Sequence, residues 1–196
     1  MGPRLPAAVR RRQLLDVATS AFARRGFHAT SMADVAVAAG VTKPVLYQHF
    51  ASKRALYLEA LNDVGCRLRQ SIEKATADAP TPHSQVERGL DAYFRFVAGE
   101  DAAFTLLFGG GTRRDEEFAR AAAAVEASIA RSIATLLEVD GLTAWEREVL
   151  ASGIVGLAEG ASRRWLAQQP RPDVGPLAAL VANLAWAGLR GLHVSR

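Results

Sequence analysis

Residues Thr30–Lys53 read TSMADVAVAAGVTKPVLYQHFASK, and this stretch decides the fold. Ser31 stands where a helix needs its N-cap, with Asp34 three residues on to complete a capping box. Met32, Val35 and Ala36 then recur at i, i+3 and i+4, which gives a short helix one buried stripe. Gly40 supplies the left-handed residue that ends it. Thr42 is expected to cap the next helix, and Pro44 falls in its first turn, where a missing N–H is no loss. A helix, a glycine turn and a second helix make the layout of a helix-turn-helix.

Side chains on the second helix indicate what the layout is for. A recognition helix presents its N-terminal residues to base edges in a major groove. Lys43 and Gln48 can donate to acceptors there, and Val45 can meet a thymine methyl. Tyr47, His49 and the backbone near Thr42 suit phosphate oxygens, which fix register without reading sequence. Thr30, Ser31 and Pro44 flank these positions and complete the expected contact set. Ser52 caps a further helix, and Lys53 in its first turn brings a cation to a place where anions bind. The competing view is a generic helix pair whose polar residues are merely solvated.

The segment resembles the DNA-binding domain of TetR-type transcriptional regulators. The matching residues are Ala18, Phe22, Gly26-Phe27, Thr30-Ser31, Val35-Ala36, Ala39-Gly40-Val41, Leu46-Tyr47, His49-Phe50, Lys53 and Leu56. One departure is Pro44, where many relatives carry a small residue or glycine, so base preference does not carry over. The resemblance covers roughly the first quarter of the chain, since C-terminal bodies in that family share little sequence. It implies a double-stranded DNA operator as partner, a homodimer, and a small-molecule effector that tilts the helix after the reading motif. Repression is the commoner outcome in that family.

Composition agrees. Through Ala60 the chain carries nine Lys/Arg against three acids, an excess of +6, while the remainder carries fifteen bases against seventeen acids. A whole-chain charge of +4 therefore originates in the segment with the helix-turn-helix, which suggests a polyanion partner at one end. Arg10-Arg11-Arg12 on the first helix is either a solvated face or a DNA contact, with Arg11 the expected phosphate ligand. The single cysteine, Cys66, excludes an internal disulfide framework and is expected to be a small buried side chain. No stretch suits a membrane span, and MGPRLPAAVRRRQ lacks a signal-peptide core, so a cytoplasmic location is expected.

Helical spacing runs through nearly the whole chain, and no convincing strand alternation occurs, so an all-α fold of about nine helices is predicted. The first helix spans about Pro6 to Arg25, burying Leu14, Val17, Ala18, Ala21 and Phe22, and Gly26 stops it. A long helix after Ser52 carries Tyr57, Leu61, Val64, Leu68 and Ile72. A loop over Asp78–Ser84 precedes a helix opened by Ser84, with Val86, Leu90, Tyr93, Phe94 and Val97 on one side. Asp101 to Phe108 forms a short apolar helix before Gly109-Gly110-Gly111. That triple glycine beside Thr112-Arg113-Arg114 is either a phosphate cradle or a hinge; its spacing matches no phosphate-loop motif. Arg114 to Val139 forms the next helix, whose opening acids Asp115-Glu116-Glu117 complement the helix dipole.

Thr143 and Glu146 form a further capping box. The helix they begin carries Leu150, Ile154, Leu157, Ala161 and Trp165 in one stripe, beside the small residues Gly153, Gly156 and Gly160. After Pro170, Pro172 and Pro176, a last helix carries Leu177, Leu180, Val181 and Leu184. These two helices read as an antiparallel hairpin, and the resemblance implies that they meet a twin in a four-helix bundle; alternatively they cover the protomer's own core. Tyr93, Phe94, Phe104, Phe108 and Phe118 are the expected lining of an apolar effector cavity, or else ordinary core. His28, His49, His83 and His193 stand at no metal-ligand spacing, and no nucleophile elbow occurs, so neither metal, cofactor nor catalysis is expected. The division by role is a DNA-binding domain over residues 1–50 and an effector-binding and dimerisation domain over 51–196. A lipid- or small-molecule-binding helical protein without specific DNA recognition is the rival reading.

Overall fold

Nine helices make up the regular structure among the residues described, 6–109, 114–137 and 141–192, in a computed structural model of the chain. They are α1 (Ala7–Ala29), α2 (Met32–Ala38), α3 (Lys43–His49), α4 (Lys53–Thr76), α5 (Pro82–Gly99), α6 (Asp101–Phe108), α7 (Glu116–Ala134), α8 (Ala144–Leu166) and α9 (Val174–Arg190). Arg4, Gly110, Gly111, Thr112, Arg113, Val139 and His193 lie outside the described residues, and so do both readings of the triple glycine. The chain divides into two compact units. One comprises Met1–Val64 with Ala102–Ala123, the other Gly65–Asp101 with Ala124–Arg196, so the boundary falls inside α4, after the first residue of α6, and inside α7.

The first unit is set by local signals. Gly26, at φ 77°, breaks the regular course of α1, and Thr30 donates its hydroxyl to the Gly26 carbonyl at 2.8 Å. Ser31 and Asp34 form the capping box, with Asp34 N–H donating to Ser31 Oγ and Ser31 N–H to the carboxylate. The Ser31 hydroxyl, and after it the Ser31 N–H, donate to the carboxylate and hold the Asp34 carboxyl below the usual carboxylate range. Met32, Val35 and Ala36 are buried, Gly40 closes the turn at φ 65°, and Leu46 and Phe50 anchor α3. Val17 is only half-buried; Leu15 and Thr19 take the interior positions beside Leu14 and Ala18.

An aromatic cluster joins the unit's separate stretches of sequence. Phe22, Phe27, Tyr57 and Phe118 pack with ring centroids 4.2–6.1 Å apart, mostly edge to face, the arrangement that ring quadrupoles favour. Arg11 pairs with Glu59, and Arg12 reaches Asp63 at 2.7 Å, so the arginine run ties α1 to α4.

In the second unit α9 lies chiefly against α5, with less contact to α8 than a simple hairpin would give. His83 stacks near Trp186 at 4.9 Å, while Arg95 sits within electrostatic reach of Asp173, so α5 and α9 run antiparallel. Helix α5 begins at Pro82, two residues before the expected start, because Thr81 supplies the cap and Ser84 completes its box. Cys66 is exposed, not buried: the inward stripe of α4 runs through Leu61, Val64, Leu68 and Ile72, and residue 66 points off it. Gly65 is buried instead, and a Cβ there would overlap Val125 Cγ1 of α7. No described helix is long and apolar enough to cross a membrane.

That glycine is a testable close approach. At an open helical site Gly→Ala gains up to about 1 kcal/mol, whereas overpacking of this kind costs roughly 1–3 kcal/mol. Gly65→Ala is expected to lower the urea unfolding midpoint, and adding Val125→Ala to restore part of it. A rise in midpoint for Gly65→Ala alone would contradict the packing.

Candidate nucleic-acid interface

Helix α3 is seven residues long, too short to persist on its own sequence. Burial of Leu46 within it and of Phe50 at its end fixes which side faces out. Thr42, Lys43, Pro44, Tyr47 and Gln48 are exposed, and Val45 and His49 are half-buried. Tyr47 is 46% exposed, a large aromatic held at the surface by a rigid anchor. Among the described residues the side chains of Lys43, Tyr47 and Gln48 make no hydrogen bond or ion pair, so their donors are available to a partner. Thr42 occupies the N-cap position without using its hydroxyl there. The fold thus brings Thr42, Lys43, Pro44, Tyr47 and Gln48, but not all of Val45 and His49, onto an outward face.

Other expected contacts are placed differently. Thr30 is 1% exposed, with its hydroxyl committed to the Gly26 and Ala21 carbonyls, so it closes the turn after α1 and offers no side chain to DNA. Ser31 is exposed, but its hydroxyl both accepts from and donates to Asp34. The Lys53 ammonium donates to the Phe27 carbonyl at 2.9 Å, lies 3.5 Å from that of His28, and sits 4.3 Å from the Phe27 ring centroid. It caps the end of α1 and keeps part of its donor capacity. Arg11 pairs with Glu59 and stacks 5.0 Å from the Phe50 ring, which leaves several of its five N–H groups for a phosphate.

The five rings expected to line an effector cavity are all buried, but in two places. Tyr93 and Phe94 belong to the second unit, packed edge to face at 5.2 Å. Phe104, Phe108 and Phe118 belong to the first. Phe118 joins Phe27 and Tyr57 beneath the helix-turn-helix, which accounts for its ring without a ligand. In the second unit the Tyr93 hydroxyl meets Ser162 Oγ at 3.5 Å, and burial pushes its phenol pKa up.

The apolar helices at the C-terminal end also sort themselves. Trp165 and Val181, expected at a dimer face, are interior to the protomer, with the Trp165 indole donating to the Pro172 carbonyl at 2.9 Å. Leu150 and Ile154 pack on Ala130, Ala134, Leu137 and Ala151 and are half-buried, as are Leu157, Ala161 and Leu177. Leu180 and Leu184 stay 69% and 60% exposed. Sequence reasoning passed over Trp145 and Val149, at 71% and 48%. Their spacing with the exposed Gly153, Gly156 and Gly160 marks one helical face, a signal present in the sequence one residue out of step with the larger apolar stripe.

A further group was missed. The Arg54 fork meets Asp115 at 2.7 and 3.2 Å and also contacts Glu117. Asp115 Oδ1 accepts the N–H groups of Glu117 and Phe118, capping α7. The Arg54 bond, then these backbone donors, hold the Asp115 carboxyl down to about 2.

Comparison with known proteins matches this layout. The model of bacterial regulatory proteins of the tetR family matches residues 14–60, and that of the tetracyclin repressor-like C-terminal domain matches residues 82–188. Over its whole length the chain is 30% identical to the HTH-type transcriptional activator FasR of Mycolicibacterium smegmatis, covering 90% of that protein. It is 48% identical over 52 residues to the HTH-type transcriptional repressor KstR2 of Rhodococcus jostii, 26% of each chain. A crystal structure of a TetR-like transcriptional regulator from Rhodococcus sp. RHA1 matches 96% of this chain and 100% of its own, with 33% identity and a TM-score of 0.75. FadR of Bacillus subtilis, solved in complex with stearoyl-CoA, shares the fold at a TM-score of 0.78 and 17% identity, over 93% of this chain and 99% of its own.

The depressed Asp115 carboxyl sets a pH signature. Its folded value of about 2 lies below the ordinary 3.8, so its contribution is present above the ordinary value and is lost as pH falls toward 2. Asp115→Asn keeps a capping side chain and removes the charge. The gap in thermal midpoint between the two proteins is expected to be constant near neutrality and to shrink between about pH 4 and about pH 2. A gap that does not narrow there would show that the charge contributes nothing.

Proposed function

Because the chain belongs to the TetR family of bacterial transcriptional regulators, we propose that α3 enters the major groove of an operator and that a bound apolar effector releases it. The observation that carries this is the outward face of α3, where Lys43, Tyr47 and Gln48 present unused donors while Leu46 and Phe50 lock the helix from behind. Lys43 and Gln48 suit base acceptors, and Tyr47 and Thr42 suit phosphates. Occupancy of an operator represses where it blocks transcription, the sign that the KstR2 name carries for that protein. The same release would lower transcription at an activating site, the sign carried by FasR.

Two copies would place two reading heads on paired half-sites. The exposed Trp145, Val149, Leu180 and Leu184, with the open glycines Gly153, Gly156 and Gly160, support α8 and α9 as the self-association face. An effector with a long apolar chain is supported by the buried aromatics of α5 beside the hydroxyl pair Tyr93 and Ser162, and by the stearoyl-CoA with which FadR of Bacillus subtilis was solved.

Selection of bound sequences from random duplexes is expected to enrich paired half-sites. On the enriched duplex, Lys43→Ala with Tyr47→Ala should weaken binding by at least roughly tenfold, since each specific contact contributes about 1–3 kcal/mol. Stearoyl-CoA should release the duplex from the wild-type chain and free coenzyme A should not. Failure to enrich any duplex would remove the DNA assignment; enrichment without release by the acyl ester would remove the effector assignment alone.

Self-association has its own check. Leu180→Asp with Leu184→Asp is expected to give a folded monomer by light scattering, whereas Val181→Asp should unfold the protomer. A dimer that persists in the double variant would move the interface elsewhere.

A further inference from the structure

Asp115, Glu117 and Phe118 follow the whole of α5 and α6 in sequence, yet they close on the helix that leaves the reading motif. Arg54 stands four residues after Phe50, the C-cap of α3. Its guanidinium is held edge-on by the Asp115 fork and by Glu117, and its face lies 4.6 Å from the Phe118 ring centroid. Asp115 also caps α7, so the carboxylate that grips Arg54 moves with the first turn of that helix. Phe118 stacks 4.2 Å from Tyr57, one turn along α4, and 4.7 Å from Phe27 at the end of α1. Lys53 completes the clamp by capping the Phe27 carbonyl. The first turn of α4 is therefore gripped by the end of α1 and by the start of α7. Only Phe50, Ala51 and Ser52 separate it from α3, so its placement sets the pitch of the reading helix.

We propose that Arg54 is a positioning residue for DNA reading, held by Asp115 and Glu117, and that the first turn of α7 is the lever through which DNA affinity is set. This rests on the DNA-reading assignment of α3. An isolated surface ion pair contributes little, but a planar fork on one carboxylate, a second carboxylate and a ring stack act as a network with a defined geometry. The rival role for an exposed arginine beside a helix-turn-helix is a direct phosphate contact. The two roles differ in sign. If Arg54 binds phosphate, Asp115 and Glu117 compete with DNA, and removing Asp115 tightens binding. If Arg54 positions α4, removing Asp115 weakens it.

The test uses the 196-residue chain and a selected duplex, with binding measured across a salt series for wild type, Arg54→Met, Arg54→Lys, Asp115→Asn and the Arg54→Met/Asp115→Asn double variant. Asp115→Asn is expected to weaken specific binding on the order of fivefold or more, with affinity for non-specific duplex and the salt slope unchanged. The double variant should be no weaker than Arg54→Met, since coupled groups are not additive. Arg54→Lys, which keeps the charge and loses the fork, should fall between wild type and Arg54→Met. Circular dichroism checks each fold, and Asp115→Asn with Arg54→Lys decide the matter should Arg54→Met not fold. Tighter or unchanged specific binding by Asp115→Asn would overturn the proposal. A wild-type chain that enriches no duplex would instead bring down the DNA assignment on which it rests.

Discussion

Burial of Leu46 and Phe50 is the constraint on which the rest of the molecule's function depends. A seven-residue helix cannot hold its shape through its own hydrogen bonds. It exists because two apolar side chains are seated in the first unit, and with those fixed the 100° step of the helix leaves Lys43, Pro44, Tyr47 and Gln48 no choice but solvent. The capping box at Ser31, the left-handed Gly40 and the buried Thr30 hydroxyl all bear on the same end, since each fixes how the chain approaches that helix. The outward set of donors is a by-product of packing on the opposite face.

Features that depend on a few adjacent residues were legible in the sequence. Ser31 with Asp34, Thr143 with Glu146, Gly26, Gly40 and Pro44 each satisfy a backbone requirement within one turn, and each occurs where those requirements place it. Choice of partner was not legible, because it is made across the fold. Lys53 looked like an anion ligand from its place in a first turn, but the end of α1 brings two carbonyls and a ring to it. Asp115 and Glu117 read as dipole complements; nothing within their own helix points to Arg54, 61 and 63 residues away. Helical spacing puts Phe118 on the buried side of its own helix but does not say what it meets; its neighbours in space come from α1 and α4.

The C-terminal helices show a different limit. Sequence favours the larger apolar residues of α8 as an outer face, but the protomer itself needs Leu150 and Ile154 to cover Ala130, Ala134, Leu137 and Ala151. A layer of alanines is thin, and bulky partners must fill against it. What remains outside is the neighbouring row, one residue out of step, where Trp145 and Val149 give way to glycines. Helical periodicity alone cannot choose between two adjacent rows when both are apolar. The volume of the opposing helix decides.

Charge follows the same logic at a different range. The excess of +6 through Ala60 acts at a distance, and although Asp63, Asp115 and Glu117 beside these arginines reduce it, it favours a polyanion partner at this end of the chain. At contact range most of these cations already have partners: Arg10 has Gln13, Arg11 has Glu59, Arg12 has Asp16 and Asp63, Arg25 has Asp34, Lys53 has the Phe27 carbonyl, and Arg54 has Asp115 and Glu117. Among the described residues Lys43 and Arg24 have none. Phosphates must therefore displace carboxylates from Arg11, Arg12, Arg25 and Arg54, or share them, and each exchange returns less than a free cation would. On the proposed reading of α3, attraction and grip would fall to different residues: the many paired arginines would bring DNA near, and the few uncommitted donors on α3 would hold it in register.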